Sequence, residues 1–114
     1  MENNIKIFSI NCPHCNFEME IEELNCCIFR CGILKNIKLV KDNISINKYI
    51  DDKMLEEMIE QKILSINPTQ IPPHLSFEEC NRLKTDNLIY GCGKPFKIIK
   101  MKEGEIKIEE CGYI

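Results

Sequence analysis

Seven of the eight cysteines and one of the two histidines fall into four pairs: Cys12 with Cys15, Cys26 with Cys31, His74 with Cys80, and Cys92 with Cys111. Thiolate and imidazole are the donors of tetrahedral zinc sites, and two closed sites need eight of them. The pairing predicts two zinc ions. One is expected on Cys12, Cys15, Cys92 and Cys111, the other on Cys26, Cys31, His74 and Cys80. A backbone cue agrees, because a residue that follows a ligating cysteine often turns left-handed so that N–H groups face the sulfur, and glycine and asparagine tolerate that turn best. Glycine follows Cys31, Cys92 and Cys111, and asparagine follows Cys15 and Cys80. Cys27 precedes the β-branched Ile28 and is left as the spare thiol. His14, inside Cys12-Pro13-His14-Cys15, is expected to point its ring outward and not to ligate.

The same thiols support two other chemistries. Four disulfides would need an oxidising compartment, yet residues 1–7 carry an early acid and no apolar stretch of signal-peptide length. A thiol–disulfide oxidoreductase is the stronger alternative, since Cys12-Pro13-His14-Cys15 is also a redox sequence of thioredoxin-like proteins, and Phe17, Ile21 and Leu24 fit a helix after it. That reading leaves six cysteines without a role. No glycine-rich phosphate loop and no Ser/His/Asp set is present, so neither a small-molecule substrate nor a catalytic residue is indicated.

The elements that must carry the ligands are short. Residues 5–10 read as a strand that stops at Cys12-Pro13, and residues 17–22 alternate apolar and acidic side chains at the period of a half-buried strand. Residues 95–101 and 105–109 form a second hairpin around Lys102-Glu103-Gly104, with Cys92 opening it and Cys111 closing it. Asp51 or Asp52 caps a helix whose apolar stripe is Leu55, Met58, Ile59, Ile63 and Ile66, a stripe that suits core contact better than a partner groove. Ser76 and Glu79 have capping-box spacing for a second helix to about Lys84, which puts Cys80 in its first turn and His74 on the loop before it. The expected fold is α+β: a small zinc-stabilised domain of antiparallel, zinc-ribbon-like hairpins plus two helices, one domain over residues 1–114.

Charge narrows the partners. The formal net charge is −3, with acids clustered at Glu18–Glu23 and over residues 51–60, and thiolate ligation makes the balance more negative. Tight nonspecific binding to duplex phosphates is disfavoured for such a body. Lys94, Lys97, Lys100, Lys102 and Lys107 leave the C-terminal hairpin locally basic. A protein or a nucleic acid therefore remains open as partner, and no segment is long and apolar enough for a membrane span.

The blocks Cys12-Pro13-His14-Cys15, Glu23-Leu24-Asn25-Cys26, Ile28-Phe29-Arg30-Cys31-Gly32, Gln70-Ile71-Pro72-Pro73-His74, Ile89-Tyr90-Gly91-Cys92-Gly93-Lys94-Pro95-Phe96 and Cys111-Gly112-Tyr113-Ile114 give the chain a resemblance to small zinc-ribbon-like proteins of undetermined function encoded by phages and large DNA viruses. In that family the position matching Cys31 is usually histidine, a conservative ligand exchange. Residues 38–66 look like an insertion relative to it. The resemblance implies metal binding in a viral protein that works inside the cell (host cytoplasm, nucleus or virion), and supplies no catalytic residue. The expected function is a noncatalytic zinc-binding module that presents a rigid surface to a partner.

Overall fold

The structure, a computed structural model, describes residues 8–21 and 26–114. Strand β1 (Phe8–Asn11) pairs antiparallel with β2 (Glu18–Ile21), Ile10 opposite Met19. Glu18 and Glu20 face water while Met19 and Ile21 are buried, the period-two alternation of a strand with one wet face. The expected extensions to residues 5–7 and to Glu22 lie outside the described residues.

Beside this hairpin lies an antiparallel sheet in the order β10 (Ile106–Glu110), β9 (Pro95–Lys100), β3 (Ile28–Arg30). Phe29 sits opposite Phe96 across β3 and β9, their rings stacked at 5.7 Å. These two rings, with Ile10, Met19, Ile21 and Ile98, make the first apolar core. The turn between β9 and β10 is a short 3-10 segment, Lys102–Gly104, where Gly104 takes a left-handed φ of 80°.

Short strands form two further sheets. β4 (Ile33–Leu34) lies between β7 (Thr69–Gln70) and β8 (Ile89–Tyr90), and β5 (Lys38–Leu39) pairs with β6 (Leu64–Ser65). Helix α1 (Asp52–Glu60) starts where expected, with Asp51 Oδ1 accepting the Met54 N–H at 2.8 Å. It ends earlier than the apolar stripe predicts. Lys62 is left-handed (φ 61°), and Leu64, not Ile63, is buried through strand β6. Apolar runs this short fit helix and strand periods equally, and the pairing with β5 decides between them. Leu55 of α1 packs with Ile37, Leu64 and Leu88 in a second core, with Met58, Ile59 and Ile66 against it, so the stripe is core contact except at the exposed Ile63.

Helix α2 (Phe77–Thr85) is capped by Ser76, whose Oγ accepts the Glu79 N–H at 3.2 Å. Lys35, fully buried, ties α1 to strand β8: its Nζ lies 3.3 Å from Asp52 Oδ1 and 4.7 Å from the centroid of the Tyr90 ring. The whole is α+β, with two α-helices and antiparallel pairing throughout the described residues.

Candidate metal centre

Cys12 and Cys15 stand on the turn that joins β1 to β2. That turn is held by Cys12 N–H to Phe17 O and Asn16 N–H to Cys12 O, both at 2.9 Å, and Asn16 takes the left-handed φ of 66° that asparagine tolerates. The segment after Cys15 is therefore β2 and not the helix that would activate a thioredoxin-like thiol.

The other half comes from a junction of three strand ends. Cys31 follows β3 and Cys92 precedes β9, and the β3–β9 pairing carries on past the sheet through Cys31 N–H to Lys94 O at 2.9 Å and Gly93 N–H to Cys31 O at 2.7 Å. Two glycines permit this approach. A Cβ at Gly32 (φ 123°) would lie 1.9 Å from Tyr90 O, and one at Gly91 (φ 91°) would lie 2.6 Å from the Gly32 Cα. No side chain fits either place.

The result is a cluster in which the sulfurs of Cys12, Cys15, Cys31 and Cys92 all lie within 4.8 Å of one another, Cys12 to Cys92 at 3.8 Å and Cys15 to Cys31 at 3.5 Å. With zinc–sulfur bonds near 2.3 Å, a tetrahedron has edges of about 3.8 Å. The donor set fits a metal ion. Backbone N–H groups two residues beyond a cysteine support the sulfurs: His14 N–H reaches Cys12 Sγ at 3.3 Å, and Phe17 and Lys94 hydrogen-bond Cys15 and Cys92. Burial pushes the Cys31 thiol far up and Cys92 up to about 11. At Cys15 burial also raises, but the Phe17 N–H and the three neighbouring sulfurs outweigh it and leave the exposed thiol lowered.

Membership of this cluster departs from the sequence expectation at one position: Cys31 stands where Cys111 was assigned. The register explains the exchange. Glu110 pairs with Phe96, so Cys111 comes level with Pro95 and not with Cys92. The partner on the other edge of β9 is β3, a three-residue strand that sequence periodicity does not reveal, and it delivers Cys31 instead. His14 also departs from expectation. Its ring turns back onto the sheet, with Nε2 2.8 Å from Pro95 O and Nδ1 3.8 Å from Glu110 Oε2.

Of the remaining donors, Cys80 lies beside Arg30 and Cys26 beside His74, and among the described residues no third donor groups with either pair. Cys26 Sγ is 3.5 Å from His74 Nε2, and His74 Nδ1 is 2.9 Å from Ile114 O. Cys80 is buried in the first part of α2, its Sγ 3.8 Å from Leu75 O. Burial raises its thiol while the Arg30 guanidinium draws it down. Left-handed backbone after a cysteine occurs at Asn16, Gly32 and Gly93 as expected, but Asn81 is helical and Gly112, after Cys111, is not left-handed. Cys27, read as the spare thiol, is itself the left-handed residue after Cys26 (φ 63°). All eight cysteines are free. No family model, curated protein or solved structure matches the chain.

Proposed function

We propose that the chain is a noncatalytic zinc-binding module whose metal fixes a rigid surface for a macromolecular partner. The observation that carries this reading is the four-cysteine cluster at tetrahedral spacing. Four thiolates fill the coordination sphere of zinc and leave no position for a water nucleophile, as structural sites do. All-sulfur donors favour zinc over the hard cations, which take oxygen. The hairpin placement of Cys12 and Cys15 speaks against the oxidoreductase alternative, because neither residue stands at a helix N-terminus.

A protein suits the surface better than a nucleic acid. Lys97 and Lys107 both lie within 4.0 Å of Glu109, at 3.8 and 3.2 Å, which removes part of the basic character of the C-terminal hairpin. Residues 38–66 meanwhile expose Val40, Ile44, Tyr49, Met54 and Ile63, and the Val40 N–H to Ile63 O bond at 3.0 Å sets two of these side by side. Large exposed apolar side chains gathered on one segment mark interaction surfaces. The short blocks shared with zinc-ribbon-like proteins of phages and large DNA viruses agree with a viral module working in a reducing, intracellular setting.

Native mass spectrometry of chain purified without chelator tests the reading. Zinc is expected to be retained, with one ion lost on Cys15→Ser, no disulfide reductase turnover, and slow alkylation of Cys12 and Cys15. Rapid alkylation of Cys12 with metal still bound, together with reductase turnover, would establish the redox alternative.

A further inference from the structure

We infer that a second metal ion is seeded by the Cys26–His74 pair and completed by Cys80 and Cys111, which the ion would draw in, because among the described residues only the four-cysteine cluster already gathers three or more donors. The inference rests on the four-cysteine reading in one respect: with Cys31 committed there, these four are the donors left beside the spare Cys27.

Three observations converge on the site. The first is the Cys26–His74 spacing. A zinc ion bonded to sulfur at 2.3 Å and nitrogen at about 2.0 Å sets a tetrahedral S···N edge of roughly 3.5 Å, and the observed distance is 3.5 Å. The second is the other ring nitrogen, which lies 2.9 Å from Ile114 O. Metal-bound histidines nearly always donate that N–H to a carbonyl or carboxylate, which fixes the tautomer and leaves Nε2 free to ligate. That contact also folds the segment carrying Cys111 back toward His74, since Cys111 lies three residues before Ile114.

The third observation is the Arg30 side chain, 1% exposed. Its Nε donates to Leu75 O at 2.9 Å and its Nη2 to Ile114 O at 3.1 Å, so one guanidinium grips the residue after His74 and the segment after Cys111 together. Nη1 is buried and, among the described residues, has no hydrogen-bond partner. The guanidinium also lies over the Tyr113 ring, its Cζ 5.0 Å from the centroid. Cys80 is the adjacent thiol. Three thiolates around a dication leave one net negative charge, and Arg30 supplies the compensating charge. Cys80 lies close to the backbone after Cys92, for a Cβ at Gly93 would stand 3.5 Å from the Cys80 Cβ.

Cadmium exchanged into the intact zinc-loaded chain and read by cadmium NMR distinguishes the two donor sets, because the shift moves upfield as nitrogen replaces sulfur. Two resonances are expected, one all-sulfur and one with three sulfurs and a nitrogen. His74→Ala should abolish the second and keep the first, and Cys15→Ser should do the reverse. Cys26→His, which exchanges one ligand type for another at an exposed position, should keep two ions and shift only the mixed resonance, so the inference stays testable if other variants fail to fold. A single all-sulfur resonance, or two ions retained unshifted in His74→Ala and Cys111→Ser, would overturn the second site and leave the first standing. A mixed resonance without an all-sulfur one would instead sink the four-cysteine reading. Fast alkylation of Cys26 in a chain carrying one ion would also overturn the second site, and would mark Cys26 and His74 as a thiol–imidazole pair.

Discussion

At the scale of single residues, the metal centre depends on atoms that are not ligands. Gly32 has neither room for a Cβ nor a φ that an L side chain readily adopts. Gly32→Ala is expected to separate Cys31 from Cys92 and to lose the four-cysteine ion, seen as a mass deficit of one zinc, whereas Cys27→Ser should lose none. Proton linkage has a definite sign. In the folded site before an ion enters, burial raises Cys92 to about 11 and Cys31 further, so both hold their protons at neutral pH and zinc must displace both. Zinc affinity should therefore fall as pH falls, by about two decades per pH unit or more between pH 6 and 8. A competition titration that found affinity flat over that range would contradict this account of the thiols.

At the scale of elements, strand ends do the positioning. The β1–β2 turn supplies two sulfurs, and the β3 and β9 ends supply the others through pairing between segments more than sixty residues apart. Helix α1 serves a different core, which Leu55 anchors at 2% exposure against Ile37, Leu64 and Leu88. Leu55→Ala should cost about 2–5 kcal/mol by leaving a cavity there. Because the sulfurs belong to the other core, metal content at saturating zinc should not change, and calorimetry with metal analysis on the same sample checks both halves of the statement.

At the scale of the whole molecule, two modest apolar cores share one chain with a four-cysteine cluster, and zinc bound there would contribute roughly 10–16 kcal/mol against about 5–15 kcal/mol for a typical domain. Removing the metal with a strong chelator is expected to abolish near-UV circular dichroism, and re-adding zinc to restore it. Retention of sharp tertiary signals without metal would show that the cores suffice. No described helix is long and apolar enough to cross a membrane. Should the exposed lysines Lys94, Lys100 and Lys102 meet a nucleic acid, affinity would fall by about one decade per decade of salt for each phosphate neutralised, so a slope steeper than three would require cations beyond these.

The sequence by itself determined both helix caps, the β1–β2 hairpin with its two cysteines, and the β9–β10 hairpin, because each is set by residues close together in the chain. Asp51 and Ser76 reach backbone N–H groups three residues away, and Cys12 and Cys15 need only one turn between two alternating strands. Only the tertiary structure decided which sulfurs come together. That choice turned on β3, three residues long, whose pairing with β9 leaves no period to read and yet places Cys31, not Cys111, beside Cys92. It also decided the fate of Ile63 and Leu64, since an apolar run of this length satisfies a helix or a strand until a neighbouring strand claims it. Local hydrogen bonds are encoded where they act, whereas long-range pairing is encoded by whole surfaces that exist only once the chain has folded.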